Sequence, residues 1–260
     1  MKEIVSLKEV RSKAWEWGIT VREAEIRLLK QELVPKRYLR NIGTLGLTGQ
    51  IKLLEAQVAV IGAGGLGGTI IELLARLGVG RIVCIDGDIF AEHNLNRQLL
   101  SREDNLGQSK VEAANKRVQA INEAVEFYGQ TLMFDGENGE EILKGSQVAV
   151  DALDNLPSRF ILEEKAKKMG IPLVHGAIAG FTGQISTIFP EDKGLKLIYK
   201  KEGKKGIEEE LGNPAATPAL AAAWQVQEVV KIITGQGNLL RNKMLYFDAE
   251  IGVAEIFSLI

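Results

Sequence analysis

The sequence has 260 residues, of which 45% are hydrophobic and 25% charged, and its formal net charge is −2. This composition is ordinary for a globular protein, and the near balance of charge argues against a nucleic-acid partner. There is no apolar run of about 18 residues and no signal-peptide core at the start, so we expect a cytoplasmic protein without a membrane partner.

The single cysteine, Cys84, excludes two kinds of site. An intrachain disulfide and a cysteine-built zinc site both need several thiols, so no zinc site is expected. Because Cys84 lies in the apolar run RIVCI, the sequence predicts that it is a core residue.

Residues 1–34 predict a short helical arm, and residues 35–260 a single main domain. Ser6 begins a capping-box pattern, and Thr20 is a candidate cap for a second helix. Pro35 is expected to end that second helix. The arm is compatible with a dimer brace and with a segment that docks a partner.

From residue 57 onward, apolar runs typical of buried strands alternate with segments that have helical periodicity, caps and terminal glycines. Near-continuous apolar strands separated by helices favour a mostly parallel sheet covered on both faces. The predicted strands lie at 57–64, 81–88, 125–132, 147–153 and 171–179. The predicted helices lie at 67–78, 109–122 and 157–170.

The C-terminal part has a different pattern. Residues 181–190 and 242–259 indicate half-buried, antiparallel strands, and residues 218–235 an alanine-rich helix. The charged stretch KKEGKKGIEEE, residues 200–210, predicts a mobile loop. We therefore expect an α/β fold: a Rossmann-like, mostly parallel sheet with helices on both faces, an antiparallel extension in the C-terminal part and a short helical N-terminal arm.

The stretch GAGGLGG after the first predicted strand indicates a nucleotide-binding turn. Gly62, Gly64 and Gly67 fit the pattern G-x-G-x-x-G between a strand and a helix. Glycines let backbone N–H groups approach a phosphate, and the helix N-terminus adds positive potential. Asp86, at the end of the next strand, is placed to bind a ribose hydroxyl. The pattern predicts a nucleotide without specifying which one.

The polar residues that follow favour a triphosphate over a nicotinamide cofactor. Hydride transfer would not need two more cations and a second carboxylate near the phosphates, whereas Mg-ATP would. A dinucleotide-dependent oxidoreductase therefore becomes a minor alternative. The residues concerned are Asn94, Arg97, Gln98, Lys110, Asp154 and Asn155.

Over residues 36–250, the chain resembles the MoeB/ThiF/HesA family of ubiquitin-activating-enzyme-like adenylyltransferases. The matching stretches are RYLRN (37–41), GAGGLGG (62–68), IDGD (85–88), NLNRQ (94–98), GQSK (107–110), DALDN (151–155), PLVHGAIAGFTGQI (172–185) and the alanine-rich helix after Pro218. The resemblance implies a homodimer that binds Mg-ATP and adenylates the C-terminal glycine of a small ubiquitin-like sulfur-carrier protein ending in Gly-Gly, releasing pyrophosphate.

The resemblance also implies roles for individual residues. Asp154 would hold Mg²⁺, Asp86 the ribose, and Arg40 would reach into the triphosphate site of the neighbouring subunit. The catalytic residues would be Arg97, Lys110, Asp154 and Arg40. None of them would act as a general base, because the attacking carboxylate is already ionised at neutral pH. The nucleotide would be bound by Gly62, Gly64, Gly65, Gly67, Asp86, Asp88, Asn94, Arg97, Gln98, Lys110, Asp154 and Asn155.

The chain departs from the family at its thiol positions. Glu210 stands where many relatives carry a loop cysteine, and the paired CxxC zinc motifs are missing. We therefore expect an enzyme that stops at the acyl-adenylate, with a MoaD-like or ThiS-like carrier of molybdopterin or thiamine biosynthesis. Adenylation of a peptide and a non-catalytic nucleotide-binding scaffold remain as alternatives. His93 and His175 are expected to be structural.

Overall fold

The structure, a computed structural model, describes residues 3–199 and 208–260. The helices are α1 Leu7–Trp17, α2 Val21–Lys30, α3 Leu39–Glu55, α4 Gly65–Leu77, α5 Lys110–Ile121, α6 Gly139–Leu143, α7 Leu156–Lys168, α8 Glu208–Leu211 and α9 Ala216–Thr234. The strands are β1 Ile4–Val5, β2 Val34–Pro35, β3 Gln57–Ile61, β4 Arg81–Ile85, β5 Glu126–Gln130, β6 Val148–Asp151, β7 Leu173–Ala179, β8 Thr182–Ile188, β9 Lys243–Asp248 and β10 Val253–Ser258. Across these ranges, no helix combines the length and the apolar character that a membrane span requires.

The main sheet confirms the predicted α/β fold. Its eight described strands run in the order β10-β9-β8-β7-β6-β3-β4-β5. The part from β7 to β5 is parallel, whereas β8, β9 and β10 form the antiparallel extension. Strand β3 lies between β4 and β6. The chain continues from β3 to β4 and β5 on one side, and later adds β6 and β7 on the other side. Such a switch point opens a crevice at the carboxyl ends of parallel strands.

Helices cover both faces of the sheet, because the side chains of its central strands alternate between two cores. Val58 and Val60 of β3 pack into a core with α4, α5 and α9. Ala59 and Ile61 of the same strand pack into a second core with α6 and α7. Cys84 belongs to the first core and is fully buried, as predicted, and burial raises the pKa of its thiol.

Helix α3 was not predicted from the sequence, because three glycines lie within it and glycine is a poor helix former. One of them, Gly46, has φ 69° and ψ 177°, which marks a kink between two helical segments. The prediction for Pro35 was wrong: α2 already ends at Lys30, and Pro35 lies in the short strand β2. The parallel pairing of β1 with β2 closes the arm.

The predicted mobile loop at 200–210 lies mainly outside the described residues, since 200–207 belong to neither described range. Its last residues, from Glu208, form the short helix α8, so the prediction was wrong for that end. The chain then reaches Gly212, whose carbonyl accepts a hydrogen bond of 2.7 Å from the Gly180 N–H. This contact holds the segment before α9 against the turn between β7 and β8.

A buried hydrogen-bond network ties the arm to the main domain. Glu25 on α2 is fully buried, and its Oε2 accepts a bond of 2.9 Å from the Tyr38 hydroxyl. Arg37 Nε lies 3.5 Å from the other carboxylate oxygen. Asn122, at the end of α5, donates to the Tyr38 hydroxyl and to the Ala75 carbonyl of α4. Burial raises the pKa of Glu25 from 4.5 to about 7, against the opposing effect of Arg37.

This shifted pKa predicts how stability depends on pH. Between about pH 4.5 and pH 7 the unfolded chain releases the Glu25 proton and the folded chain keeps it, so stability falls as pH rises and levels off above pH 7. Relative to Glu25→Gln, we expect the free energy of unfolding to drop by on the order of 3 kcal/mol between pH 5 and pH 8. Urea denaturation of both proteins at each pH measures the difference, and an equal difference at the two pH values would contradict the assignment.

Candidate functional site

The crevice at the switch point contains a cavity of about 170 Å³. It lies at the carboxyl ends of β3, β4 and β6, where the glycine turn, the acidic segment after β4 and the loop after β6 meet. Most of the predicted site residues therefore come together in one place. Those lining the cavity are Gly62, Gly64, Gly65, Asp86, Asp88, Arg97, Gln98, Lys110, Asp154 and Asn155.

The glycine turn brings backbone to the cavity wall. Gly62 has φ +104°, and a Cβ atom there would lie 2.6 Å from the carbonyl oxygen of Ala152. Gly64 is the N-cap of α4 and has no side chain that could cap the first N–H groups of that helix. Uncapped N–H groups at a helix N-terminus favour an anion. The turn is therefore shaped for a phosphate group.

Gly67 does not line the cavity, unlike Gly62, Gly64 and Gly65 of the same turn. A Cβ atom at this position would lie 1.9 Å from the carbonyl oxygen of Gly62. Its requirement for glycine is therefore steric: the first turn of α4 packs directly on the backbone of the glycine turn.

Asp86 supports the turn from the adjacent strand. Its Oδ2 accepts a hydrogen bond of 2.7 Å from the Ala63 N–H, and its Oδ1 one of 2.8 Å from the Asp88 N–H. A carboxylate oxygen can accept more than one hydrogen bond, so both oxygens keep capacity for hydroxyl donors. This geometry suits the ribose role that the sequence predicts for Asp86.

Two cationic side chains line the cavity, and they differ in their hydrogen-bond partners. Lys110, at the start of α5, is buried, and its Nζ lies 2.8 Å from Asp88 Oδ2. Arg97 instead donates from Nη1 to the His93 carbonyl at 2.8 Å and to Asn96 Oδ1 at 2.9 Å. Both of these acceptors are neutral, so the Arg97 guanidinium keeps its charge available for an anionic ligand.

The loop after β6 contributes an exposed carboxylate, Asp154. The neighbouring Asn155 donates to Asp154 Oδ1 at 3.1 Å and also caps α7 by accepting from the Ser158 N–H at 2.9 Å. In residues 3–199 and 208–260, no three His, Cys, Asp or Glu side chains are grouped as a metal cage. Mg²⁺ is usually held by one or two carboxylates together with substrate phosphates, and Asp154 beside the glycine turn fits that pattern.

Two other predicted residues lie away from the cavity lining. Asn94 is buried, and its Oδ1 accepts from the Ala91 N–H at 2.9 Å, so it shapes the turn that leads to Arg97. Arg40 is exposed in the first turn of α3. A role for Arg40 in the site of a second subunit stays a prediction.

Two side-chain oxygens at the cavity are unsatisfied hydrogen-bond acceptors among the described residues. Gln98 Oε1 and Asn213 Oδ1 are buried and have no hydrogen-bond partner within residues 3–199 and 208–260, and both residues line the cavity. Because an unsatisfied buried carbonyl costs about 1–3 kcal/mol, a ligand that donates hydrogen bonds would relieve both. Their presence supports a ligand at this position.

A buried hydrogen-bond network beside the cavity was not predicted from the sequence. Asp151 and His175 are fully buried, and Asp151 Oδ2 lies 2.7 Å from His175 Nδ1. His175 Nε2 lies 3.1 Å from the Tyr199 hydroxyl, and that hydroxyl accepts a hydrogen bond of 2.7 Å from Gln184. Arg159, which lines the cavity, donates to the same hydroxyl at 3.3 Å. The signal for Asp151 was its place in DALDN, but nothing in the sequence pairs it with His175.

Burial lowers the pKa of His175 although the adjacent Asp151 carboxylate opposes that shift. The imidazole is therefore neutral near pH 7. Because Asp151 can only accept, the His175 proton lies on Nδ1, and Nε2 accepts from the Tyr199 hydroxyl. Burial also raises the pKa of Tyr199, which keeps its hydroxyl protonated as this arrangement requires.

The chain is similar to known proteins in sequence and in fold. The ThiF family model matches residues 38–256. The chain is 35% identical over 218 residues to the SAMP-activating enzyme E1 of Haloferax volcanii, covering 82% of this chain and 81% of that one. It is 34% identical over 235 residues to the sulfur carrier protein adenylyltransferase of Thermus thermophilus, covering 86% of each chain. The crystal structure of E. coli MccB with ATP has the same fold, with a TM-score of 0.72 at 21% identity over 86% of this chain and 71% of that one.

Proposed function

The chain belongs to the ThiF family, and on that premise we propose an Mg-ATP-dependent adenylyltransferase that activates the C-terminal carboxylate of a small ubiquitin-like sulfur-carrier protein. Relatives named for activating SAMP and for adenylating a sulfur carrier support this class of substrate. The carrier would be MoaD-like or ThiS-like, with a Gly-Gly C-terminus.

One observation carries the proposal: the cavity combines a phosphate-shaped glycine turn with Arg97, Lys110 and Asp154. A hydride-transfer site needs the turn and Asp86 but gains nothing from this surplus of charge. A triphosphate brings several negative charges and needs cations and a metal-binding carboxylate. These residues therefore favour ATP over a nicotinamide dinucleotide.

The reaction is a displacement at the α-phosphorus of ATP. A carboxylate oxygen of the carrier tail forms the new bond to phosphorus, and the bond between phosphorus and the bridging oxygen to the β-phosphate breaks. The electron pair of that bond leaves with pyrophosphate. No proton has to move, because the attacking carboxylate is already ionised near pH 7. The products are the acyl-adenylate and pyrophosphate.

The main obstacle is charge, since an anion must approach a polyanion. Arg97 and Lys110 would offset the negative charge that grows on the transferring and leaving phosphates. The glycine turn and the N-terminus of α4 would hold phosphate oxygens, and Asp86 a ribose hydroxyl. Asp154 would hold Mg²⁺, which when bound neutralises phosphate charge. The chain thus supplies alignment and electrostatics instead of a general base.

The chain has no suitable thiol for a covalent step after adenylation. Cys84, the single cysteine, is fully buried in the core, and burial raises its pKa, so the thiolate is disfavoured. The reaction would therefore end at the acyl-adenylate, and sulfur would come from another protein. We also propose a homodimer in which Arg40, exposed on α3, acts in the site of the partner subunit.

ATP–pyrophosphate exchange with a panel of purified carriers tests the proposal. We expect Mg²⁺-dependent exchange with at least one carrier that ends in Gly-Gly, and the responding carrier identifies the pathway. Exchange that responds only to short peptides would replace the carrier with a peptide substrate. ATP binding without exchange under any condition would instead indicate a non-catalytic scaffold.

A further inference from the structure

The reaction proposed above uses no residue of the buried network beside the cavity. The network's side chains do, however, form hydrogen bonds with both the N–H and the carbonyl of Leu153, the residue before Asp154. Asp151 Oδ1 accepts a hydrogen bond of 3.0 Å from the Leu153 N–H. Arg159 Nη2 donates one of 2.7 Å to the Leu153 carbonyl. The peptide units on both sides of Leu153 are therefore fixed by side chains.

Each of these two side chains is itself oriented by the network. His175 donates from Nδ1 to Asp151 at 2.7 Å, which leaves the other carboxylate oxygen directed at Leu153. Tyr199 accepts from Arg159 Nη1 at 3.3 Å, while Arg159 Nη2 is the nitrogen that reaches Leu153. Gln225 on α9 also donates to the Asp151 carbonyl at 2.8 Å.

We propose that His175 and Tyr199 are positioning residues, which act through Asp151 and Arg159 to hold the Leu153–Asp154 segment where Asp154 binds the magnesium ion of Mg-ATP. This inference rests on the proposed function for the role of Asp154. Neither His175 nor Tyr199 lines the cavity, so both act at one remove from the ligand. Burying the Asp151 carboxylate and the Arg159 guanidinium costs desolvation free energy. A buried polar network of this kind fixes the geometry of a site more than it stabilises the fold.

Tyr199→Phe is the cleanest test, because it removes one hydroxyl from the network and keeps the ring. We expect the Mg²⁺ concentration for half-maximal ATP binding to rise about fivefold, the effect of losing the one hydrogen bond that Arg159 donates to this hydroxyl. ATP affinity without Mg²⁺ should remain close to wild type, whereas the melting temperature should fall, because Arg159, His175 and Gln184 each lose a bond to the hydroxyl. Titration calorimetry with ATP over a series of Mg²⁺ concentrations measures this without any carrier protein.

Tyr128→Phe is the matched control. Tyr128 lies on β5, which β3 and β4 separate from the network strands, and its hydroxyl accepts a hydrogen bond of 3.2 Å from Gln130, so its variant should keep the wild-type Mg²⁺ dependence. If Tyr199→Phe does not fold, Gln184→Met removes the 2.7 Å donor to the same hydroxyl and should shift the Mg²⁺ dependence in the same direction.

An unchanged Mg²⁺ requirement in a folded Tyr199→Phe protein would overturn the inference, as would wild-type ATP binding that does not depend on Mg²⁺. Because the readout is binding, it also separates this inference from the proposed function. A shifted Mg²⁺ requirement together with no carrier-dependent exchange would support the positioning role and contradict the proposed substrate.

Discussion

Replacing Arg97 with alanine is expected to slow carrier-dependent ATP–pyrophosphate exchange by about 10²- to 10³-fold, the usual cost of removing one electrostatic contact to a transition state. Arg97 lines the cavity, and the two acceptors of its Nη1 are a carbonyl and an amide oxygen. Its positive charge is therefore not neutralised by those contacts. The fall should appear mainly in kcat, because the negative charge on phosphorus and on the leaving pyrophosphate grows during the displacement.

Arg102→Ala is the matched control for this variant. Its side chain is 66% exposed and pairs with Asp104 at 2.7 Å, outside the cavity lining. Exchange by Arg102→Ala should remain within about twofold of wild type, as an exposed ion pair contributes little. A folded Arg97→Ala protein with near wild-type exchange would show that the cation assignment is wrong.

Replacing Gly67 with alanine is expected to destabilise the protein by about 3 kcal/mol and to abolish ATP binding. The new Cβ atom would lie 1.9 Å from the carbonyl oxygen of Gly62, and backbone cannot yield there without moving the glycine turn. Thermal denaturation and ATP titration measure the two effects. They should occur together, because one backbone contact sets both the packing of α4 and the shape of the phosphate site.

Gly68→Ala separates a general effect of alanine from the specific clash. At Gly68 a Cβ atom would meet the Leu100 side chain at 3.2 Å, and a side chain can shift by a few tenths of an ångström. Gly68→Ala should therefore retain most of its stability and ATP affinity. Equal tolerance of alanine at both positions would contradict the steric role of Gly67.

Much of the fold and the cavity could be predicted because their signals are local. The glycine turn follows a strand and precedes a helix, Asp86 ends the next strand, and the carboxyl ends of parallel strands meet at one edge. That rule alone brings Asp154, which follows β6, to the glycine turn. The prediction that Gly67 lines the phosphates followed from the motif, whereas its structural position depends on a packing distance that a motif does not contain.

The missed features depend on contacts between residues distant in sequence. His175 is 24 residues from Asp151, and only the parallel pairing of β6 with β7 brings them together. Helix α3 was missed because its stability comes from packing against the arm and α9, which outweighs the low helix propensity of its glycines. Arg40 lies on that helix, so the placement of the proposed partner contact also depends on packing that local sequence does not encode.

The central claim is that the chain transfers an adenylyl group to a free C-terminal carboxylate. The most direct measurement compares ATP–pyrophosphate exchange with one carrier in two forms, one with a free C-terminal glycine and one with that glycine amidated. We expect Mg²⁺-dependent exchange with the free form and none with the amide, because amidation removes the nucleophile and leaves the rest of the carrier unchanged. Equal exchange with both forms, or exchange without any carrier, would contradict it.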